Sequence, residues 1–173
     1  VRSGRWGRHR ERAGGVKMRP VCRTFNAVTT ADTLTLLRRG LLALLAIGFV
    51  GMLADLILLE HYDDAPQWIP IGLLSAAVLV TLWHWLDGRK ASLRAFQTLM
   101  LLFIVAGLVG IFLHTKGNVE FERELSPDLT GLAFWWEVLR GATPTLAPGT
   151  LAQAGLLGLL YGYRHPALTS KDT

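Results

Sequence analysis

One uninterrupted apolar run constrains this chain more than any other feature. Residues 40–59 read GLLALLAIGFVGMLADLILL, in which Asp55 is the only ionisable side chain, and Arg38 and Arg39 precede the run. At about 1.5 Å per residue, 20 helical residues reach roughly 30 Å, the thickness of the hydrocarbon core of a bilayer. Because lipid offers no hydrogen-bond partner to backbone groups, such a run must be helical. The sequence therefore predicts an integral membrane protein.

Three further segments have the length and polarity of membrane spans. Residues 68–86 carry tryptophans near both ends and none between, as expected of an interfacial aromatic belt. Residues 95–114 form the third span. Residues 144–163 form the fourth, with Thr143 as the helix cap and Pro144 in the first helical position. We therefore expect an all-α integral membrane protein with four transmembrane helices in a bundle.

Lysine and arginine are distributed unevenly over the segments outside these spans. Of 18 such residues, ten lie in residues 1–39, three in residues 87–94 and two after the fourth span, whereas residues 60–68 and 115–143 together hold three. Cytoplasmic segments concentrate positive charge. We therefore expect both termini in the cytoplasm and the protein in the inner (plasma) membrane of a bacterium. The same distribution favours membrane topology over nucleic-acid binding as the reason for the net charge of +5.

Composition divides the chain into three regions. We expect residues 1–35 to be a basic, largely disordered tail, residues 36–165 to be the membrane domain and residues 166–173 to be a short cytoplasmic tail. In one interpretation the residues before Met18 are an upstream extension of the reading frame, and in another the basic region is an organelle transit peptide. Cys22 is the only cysteine, which excludes an intramolecular disulfide and a multi-cysteine metal module.

The longest connection, residues 115–142, separates the third and fourth spans. Residues 119–125 alternate apolar and charged side chains, which predicts a short extended segment. Ser126 as the cap and Pro127 in the first helical position are typical of the start of a helix. A helix from there to Arg140 would be amphipathic with two adjacent tryptophans, and too short to cross. We expect it to lie on the outer membrane surface; a re-entrant or bundle-packed helix is the alternative.

Small residues lie on one side of three spans. Helices in lipid associate through small residues, because apolar burial between them gains little. We therefore expect these faces to meet inside the bundle, and Gly51→Leu to be more damaging than Leu42→Ala. The faces consist of Gly40, Ala43, Gly48, Gly51, Ala54 and Asp55 on the first span, Gly107 and Gly110 on the third, and Ala154, Gly155, Gly158 and Gly162 on the fourth.

Ionisable residues gather on the predicted outer side, which holds eight of the 13 acids. His61 and His114 lie at similar depths, counted from the inner ends of their spans. Imidazole and carboxylate groups are ligands of zinc. We therefore expect a polar or ion site here, with His61, His114 and Glu120 as ligands of a divalent cation such as zinc and no other cofactor; a solvated surface is the alternative. The whole candidate set is Asp55, Glu60, His61, Asp63, Asp64, His114, Glu120 and Glu122.

Three functions are compatible with this pattern. The first is a binding or accessory membrane module whose outer acidic, histidine-bearing surface binds a cation, a membrane-protein partner or a second copy. The second is a small proton- or cation-coupled transporter with Asp55 as carrier, since a carboxylate within a span is often functional. The third is a membrane enzyme or a haem protein, with His61 and His114, or His84 and His165, as ligand pairs. The chain has no GxSxG and no P-loop motif, so the sequence favours a non-enzymatic role.

Overall fold

The computed structural model describes the backbone of residues 21–169 and the side chains of residue 30 and residues 32–168. The chain forms two compact units, residues 1–35 and 36–173. In the first unit residues 21–35 are helical and residues 1–20 lie outside the described part, so the disorder of the tail stays a prediction. The helices are α1 (Val21–Leu58), a short 3-10 helix (Ala65–Gln67), α2 (Trp68–Asp87), α3 (Lys90–Leu125), α4 (Gly131–Arg140), α5 (Gly149–Gly162) and α6 (Pro166–Thr169).

Three helical stretches in this part of the chain are long and apolar enough to cross a membrane. They are Asp32–Leu58, Ala65–Asp87 and Lys90–Leu125. They correspond to the first three predicted spans, and the described residues contain no strand. The protein is therefore an all-helical membrane protein, over the residues described, with three candidate membrane-spanning helices.

The segment predicted as the fourth span is only partly helical. Turns occupy residues 145–148, and α5 has 14 residues. The helix therefore starts later than the predicted cap at Thr143. Pro148 lies directly before α5 and has αR backbone angles, and its ring removes an N–H that a longer helix would use.

The loop after the third span also differs from the prediction. Residues 119–125 are the last two turns of α3, so the predicted extended segment is wrong. Burial follows the helical period here, because Asn118 and Glu122 lie on the buried side of α3 while Lys116 and Glu120 pair at 3.6 Å on the exposed side. The next helix begins at Gly131, whose φ of 67° is left-handed, and not at Ser126.

Close packing between α3 and α5 confirms the prediction for two small-residue faces. A Cβ atom on Gly107 would lie 2.6 Å from the backbone nitrogen of Ala152, and one on Gly155 would lie 2.5 Å from the carbonyl oxygen of Met100. At these distances only glycine fits without a backbone shift. The two helices therefore approach closely, as small residues permit in membrane bundles.

The third face, on α1, does not meet the others, and the prediction for it is wrong. Leu42, Leu45 and Phe49 are the buried residues of α1, whereas Gly51 is exposed with open space around its Cα. The rings of Phe49 and Phe103 meet edge to face at 5.3 Å between centroids. Large side chains pack α1 against the bundle, so the part of the predicted face formed by Gly51, Ala54 and Asp55 is exposed, and Gly48 is half-buried.

Candidate functional site

The end of α1 brings His61 close to His114 on α3. Glu60 follows the helix with a left-handed φ of 52°, and the backbone N–H of His61 donates to the carbonyl of Leu56 at 2.9 Å. This arrangement is a helix C-terminal cap that turns the chain back. The centroids of the two imidazole rings lie 6.3 Å apart, with a 48° angle between the ring planes.

Backbone contact orients the ring of His114. Its Nδ1 lies 3.2 Å from the carbonyl oxygen of Pro144. A carbonyl only accepts, so the N–H of this bond belongs to Nδ1 and the lone pair of the neutral ring is on Nε2. Histidines that bind metals usually donate their other ring N–H to a carbonyl or a carboxylate in this way. His114 is therefore held in the tautomer that leaves Nε2 able to bind a cation.

The acidic members of the candidate set do not join the two histidines. In the part of the chain that the structure describes, no group of three or more His, Cys, Asp or Glu side chains is arranged to hold a metal ion. Glu120 forms an ion pair with Lys116 at 3.6 Å, and Glu122 is buried further along α3. The other carboxylates of the set, those of Asp55, Glu60, Asp63 and Asp64, are exposed as Glu120 is. The structure thus brings the two histidines together without the acids of the candidate set, of which Glu60, Asp63 and Asp64 are exposed in the connection between α1 and α2.

Asp55 lies one turn before the end of α1 and its side chain is exposed. It falls on the same outward side of the helix as Gly51 and Ala54. Transport through this carboxylate stays a prediction.

A second histidine cluster lies at the opposite end of the bundle. His84 of α2 is 3% exposed, and its Nε2 lies 2.8 Å from the hydroxyl of Tyr161 on α5. Its Nδ1 lies 2.9 Å from the hydroxyl of Ser92, which donates to the carbonyl of Arg89 at 2.9 Å. The Tyr161 hydroxyl also lies 3.3 Å from Nε2 of His165. We call His84, Ser92, Tyr161 and His165 the inner cluster.

The two ends of the inner cluster fix the direction of every hydrogen bond in it. The backbone N–H of Ala167 donates to Nδ1 of His165 at 3.2 Å, so the proton of this neutral ring is on Nε2 and is donated to Tyr161. The Tyr161 hydroxyl then donates to Nε2 of His84, and Nδ1–H of His84 donates to Ser92. The chain starts and ends on backbone groups. It is therefore a closed structural link between α2, α3, α5 and α6, and not a proton path between two open ends.

The charge state of His165 agrees with this arrangement. Burial lowers the pKa of His165 below 6.5, and the neighbouring His84 and Arg38 lower it further. The guanidinium of Arg38 is close by, since its Nη2 donates to the carbonyl of Arg164 at 3.2 Å. A neutral His165 is what the hydrogen bond from Ala167 requires.

The inner cluster does not fit haem ligation. Iron held between two histidines needs a free nitrogen on each ring. Here Nε2 of His84 and Nε2 of His165 both face the one hydroxyl of Tyr161, and both Nδ1 atoms have partners of their own.

Comparisons with protein-family models, curated proteins and solved structures found no match.

Sequence reasoning placed His84 and His165 at the inner surface but missed their partners. Two spacings could have found them. His84 and Ser92 are each four residues from Gly88, which has a left-handed φ of 63° in the turn between α2 and α3. Residues equidistant from a tight turn face each other across an antiparallel helix pair. Tyr161 and His165 are also only four residues apart, on either side of the end of α5.

A buried asparagine fastens the segment that leads into α5. Asn118 is 2% exposed, and the two N–H groups of its amide are shared among the carbonyls of Val138 and Thr143 and the hydroxyl of Thr145, all 2.8–3.0 Å from the nitrogen. Its amide oxygen accepts from the backbone N–H and the hydroxyl of Thr143. Asn118 therefore satisfies the polar groups of a non-helical segment that would otherwise be buried without partners.

Proposed function

We propose that the chain crosses the membrane four times. The support is the way in which the segment before and including α5 runs along α3. The start of this segment contacts the end of the third predicted span, because the carbonyl of Pro144 accepts the bond from His114. The end of α5 contacts the beginning of the same span, where a Cβ on Gly162 would meet Gln97. The contacted residues, Gln97 and His114, are 17 positions apart, or roughly 25 Å along a helix. A 14-residue helix preceded by turns therefore covers almost the same depth as the span it packs against.

Four crossings carry both termini to the same side. With 15 of the 18 lysines and arginines on that side, the distribution of positive charge supports cytoplasmic termini and a plasma-membrane location. His61, His114 and the acids around them then belong to the outer surface.

We propose that α4 lies at the outer membrane interface. Its buried side is formed by Phe134 and Val138, which pack toward α3. Its other side carries four large apolar side chains that are more than half exposed. Ten residues are too few to cross, and exposed tryptophans favour the headgroup region. The exposed side chains are Leu132, Trp135, Trp136 and Leu139.

The function best supported by the geometry is a small binding module whose outer end binds a divalent cation such as zinc on His61 and His114. With metal–nitrogen distances of about 2 Å and a tetrahedral angle, two imidazoles on one ion have ring centroids about 5 Å apart. The observed 6.3 Å is about 1 Å longer, a difference that rotation of the two side chains closes, and the bond from His114 to Pro144 leaves Nε2 as the ligand atom. Water, a nearby exposed carboxylate or a partner protein completes the coordination. This histidine pair is the observation that carries the proposal.

Zinc binding to the purified protein tests the proposal directly. Isothermal titration calorimetry in detergent should show one zinc ion per chain, and zinc should raise the unfolding temperature. His61→Ala combined with His114→Ala should remove both effects. His9→Ala is the matched control, because it removes a histidine elsewhere and should leave binding unchanged. Equal zinc binding by the double variant and the wild type would contradict the proposal.

A further inference from the structure

A narrow apolar groove of about 230 Å³ runs between α1 and α5. On α1 its walls extend from Leu41 to Met52, and on α5 they include Ala154 and Leu157. Leu41 and Met52 are 11 positions apart, so the groove is about 16 Å long. It exists because large side chains, and not small residues, hold α1 against the bundle. Gly48 lies in the wall and has open space where its side chain would be.

The shape of the groove suits a hydrocarbon chain and not a helix. An α-helix with its side chains is about 10 Å wide, whereas a volume of about 230 Å³ spread over about 16 Å leaves a mean cross-section of only about 14 Å². An extended acyl chain is the slender apolar component available at this depth of a membrane. The wall is almost entirely apolar. Its polar residues, Thr150 and Gln153, lie at the end of the groove far from Arg38.

Positive charge marks one end of the groove. Arg38 lies one turn before Leu41, on the same side of α1 as the buried Leu42 and Leu45. Its guanidinium contacts the carbonyl of Arg164, which itself brings a further exposed cation to this end. A guanidinium donates through five N–H groups, so one bond to a carbonyl leaves donors for a phosphate.

We propose that the groove between α1 and α5 binds one acyl chain of an anionic phospholipid, whose phosphate is held by Arg38 and Arg164. The site uses none of the residues of the cation site, so either proposal can fail alone. It requires only that α1 and α5 lie in the membrane side by side.

Native mass spectrometry of the full-length protein, delipidated and then titrated with lipid in mild detergent, tests the proposal. The probes are dioleoyl-phosphatidylglycerol and dioleoyl-phosphatidylcholine, which differ only in the headgroup. We expect one retained lipid per chain and about fivefold preference for phosphatidylglycerol, the effect of one favourable arginine contact. Arg38→Gln should remove the preference.

Filling the groove separates this site from lipid bound elsewhere. Gly48→Leu adds a side chain to the groove wall, where the position of its Cβ has open space, and should cause the loss of the retained lipid. Gly72→Leu is the matched control, because Gly72 of α2 also has open space beside it and lies outside the groove; it should bind lipid as the wild type does. Equal retention by both variants would overturn the proposal. A wild-type dimer that Gly48→Leu dissociates would also overturn it, since a second copy would then occupy the groove.

Discussion

The hydroxyl of Tyr161 lies 2.8 Å from Nε2 of His84, although the two residues are 77 positions apart. The contact joins α2 to α5 at the end of the bundle opposite the His61–His114 pair. Its hydrogen-bond direction follows from the backbone groups at the two ends of the inner cluster, so removing the hydroxyl should leave a buried ring nitrogen without a donor.

Tyr161→Phe should therefore lower the free energy of unfolding by about 1–3 kcal/mol, the cost of a buried acceptor without a partner. Tyr163→Phe is the matched control, because Tyr163 is 63% exposed and should change stability little. Thermal unfolding of both variants in the same detergent measures the difference. Equal unfolding temperatures would mean that the inner cluster does not stabilise the fold.

Acid should destabilise the protein through His165. Because its pKa is lower in the folded state than the ordinary 6.5, the unfolded chain binds a proton first as the pH falls. The stability that neutral His165 contributes is complete above about pH 6.5 and declines below it, down to the lowered folded pKa. The charged and titratable groups that face the ring are Arg38, His84 and Tyr161.

Unfolding temperatures of the wild type and His165→Gln between about pH 7.5 and pH 5 test this prediction. The wild type should lose more stability than the variant over this range, because glutamine does not titrate. A steeper loss in the variant would show that His165 is not the group responsible.

The contrast between two glycines tests the packing of the spans. Gly155→Ala should destabilise by about 1–3 kcal/mol, because the new Cβ would lie 2.5 Å from the carbonyl oxygen of Met100. Gly51→Ala is the same substitution in open space and should be neutral or slightly stabilising, since alanine is the better helix former. Denaturation of the two variants side by side measures the difference, and similar losses would contradict the close approach of α3 and α5.

Asn118→Ala should release the segment between α4 and α5. The substitution removes every bond that the amide makes, including the one that accepts the backbone N–H of Thr143. Hydrogen–deuterium exchange should therefore accelerate at Thr143 and Thr145, with little change at the first turns of α3. Gln153→Ala, at an exposed polar residue of α5, is the control. Unchanged exchange at Thr143 would show that Asn118 does not fasten this segment.

Long apolar runs predict the first three helices of the membrane domain because backbone chemistry leaves lipid-exposed segments no other conformation. The bundle's internal contacts are less predictable. The small-residue rule correctly paired α3 with α5, where Gly107 and Gly155 meet backbone atoms. It chose the wrong side of α1, because the ring of Phe49 against Phe103 decided which side is buried, and a single sequence does not reveal such a pair of large side chains.

The histidine sites were likewise predictable from the sequence only in part. Depth counting suggested that His61 and His114 share a level, and their rings do lie near each other. It could not foresee that Glu120 pairs with Lys116, because that depends on α3 continuing as a helix beyond the membrane span. The partners of His84 were missed because hydroxyl groups of serine and tyrosine carry no charge that sequence patterns single out.

The most direct test of this account is the side of the membrane on which each end of the chain lies. A membrane-impermeant maleimide applied to intact cells should not label the native Cys22, nor Ser170→Cys in a Cys22→Ser background, and should label Asp128→Cys in that background. All three should react once the membrane is permeabilised. Labelling of Cys22 and Ser170→Cys from opposite sides would mean an odd number of crossings and would contradict the four-span arrangement on which the outer histidine site depends.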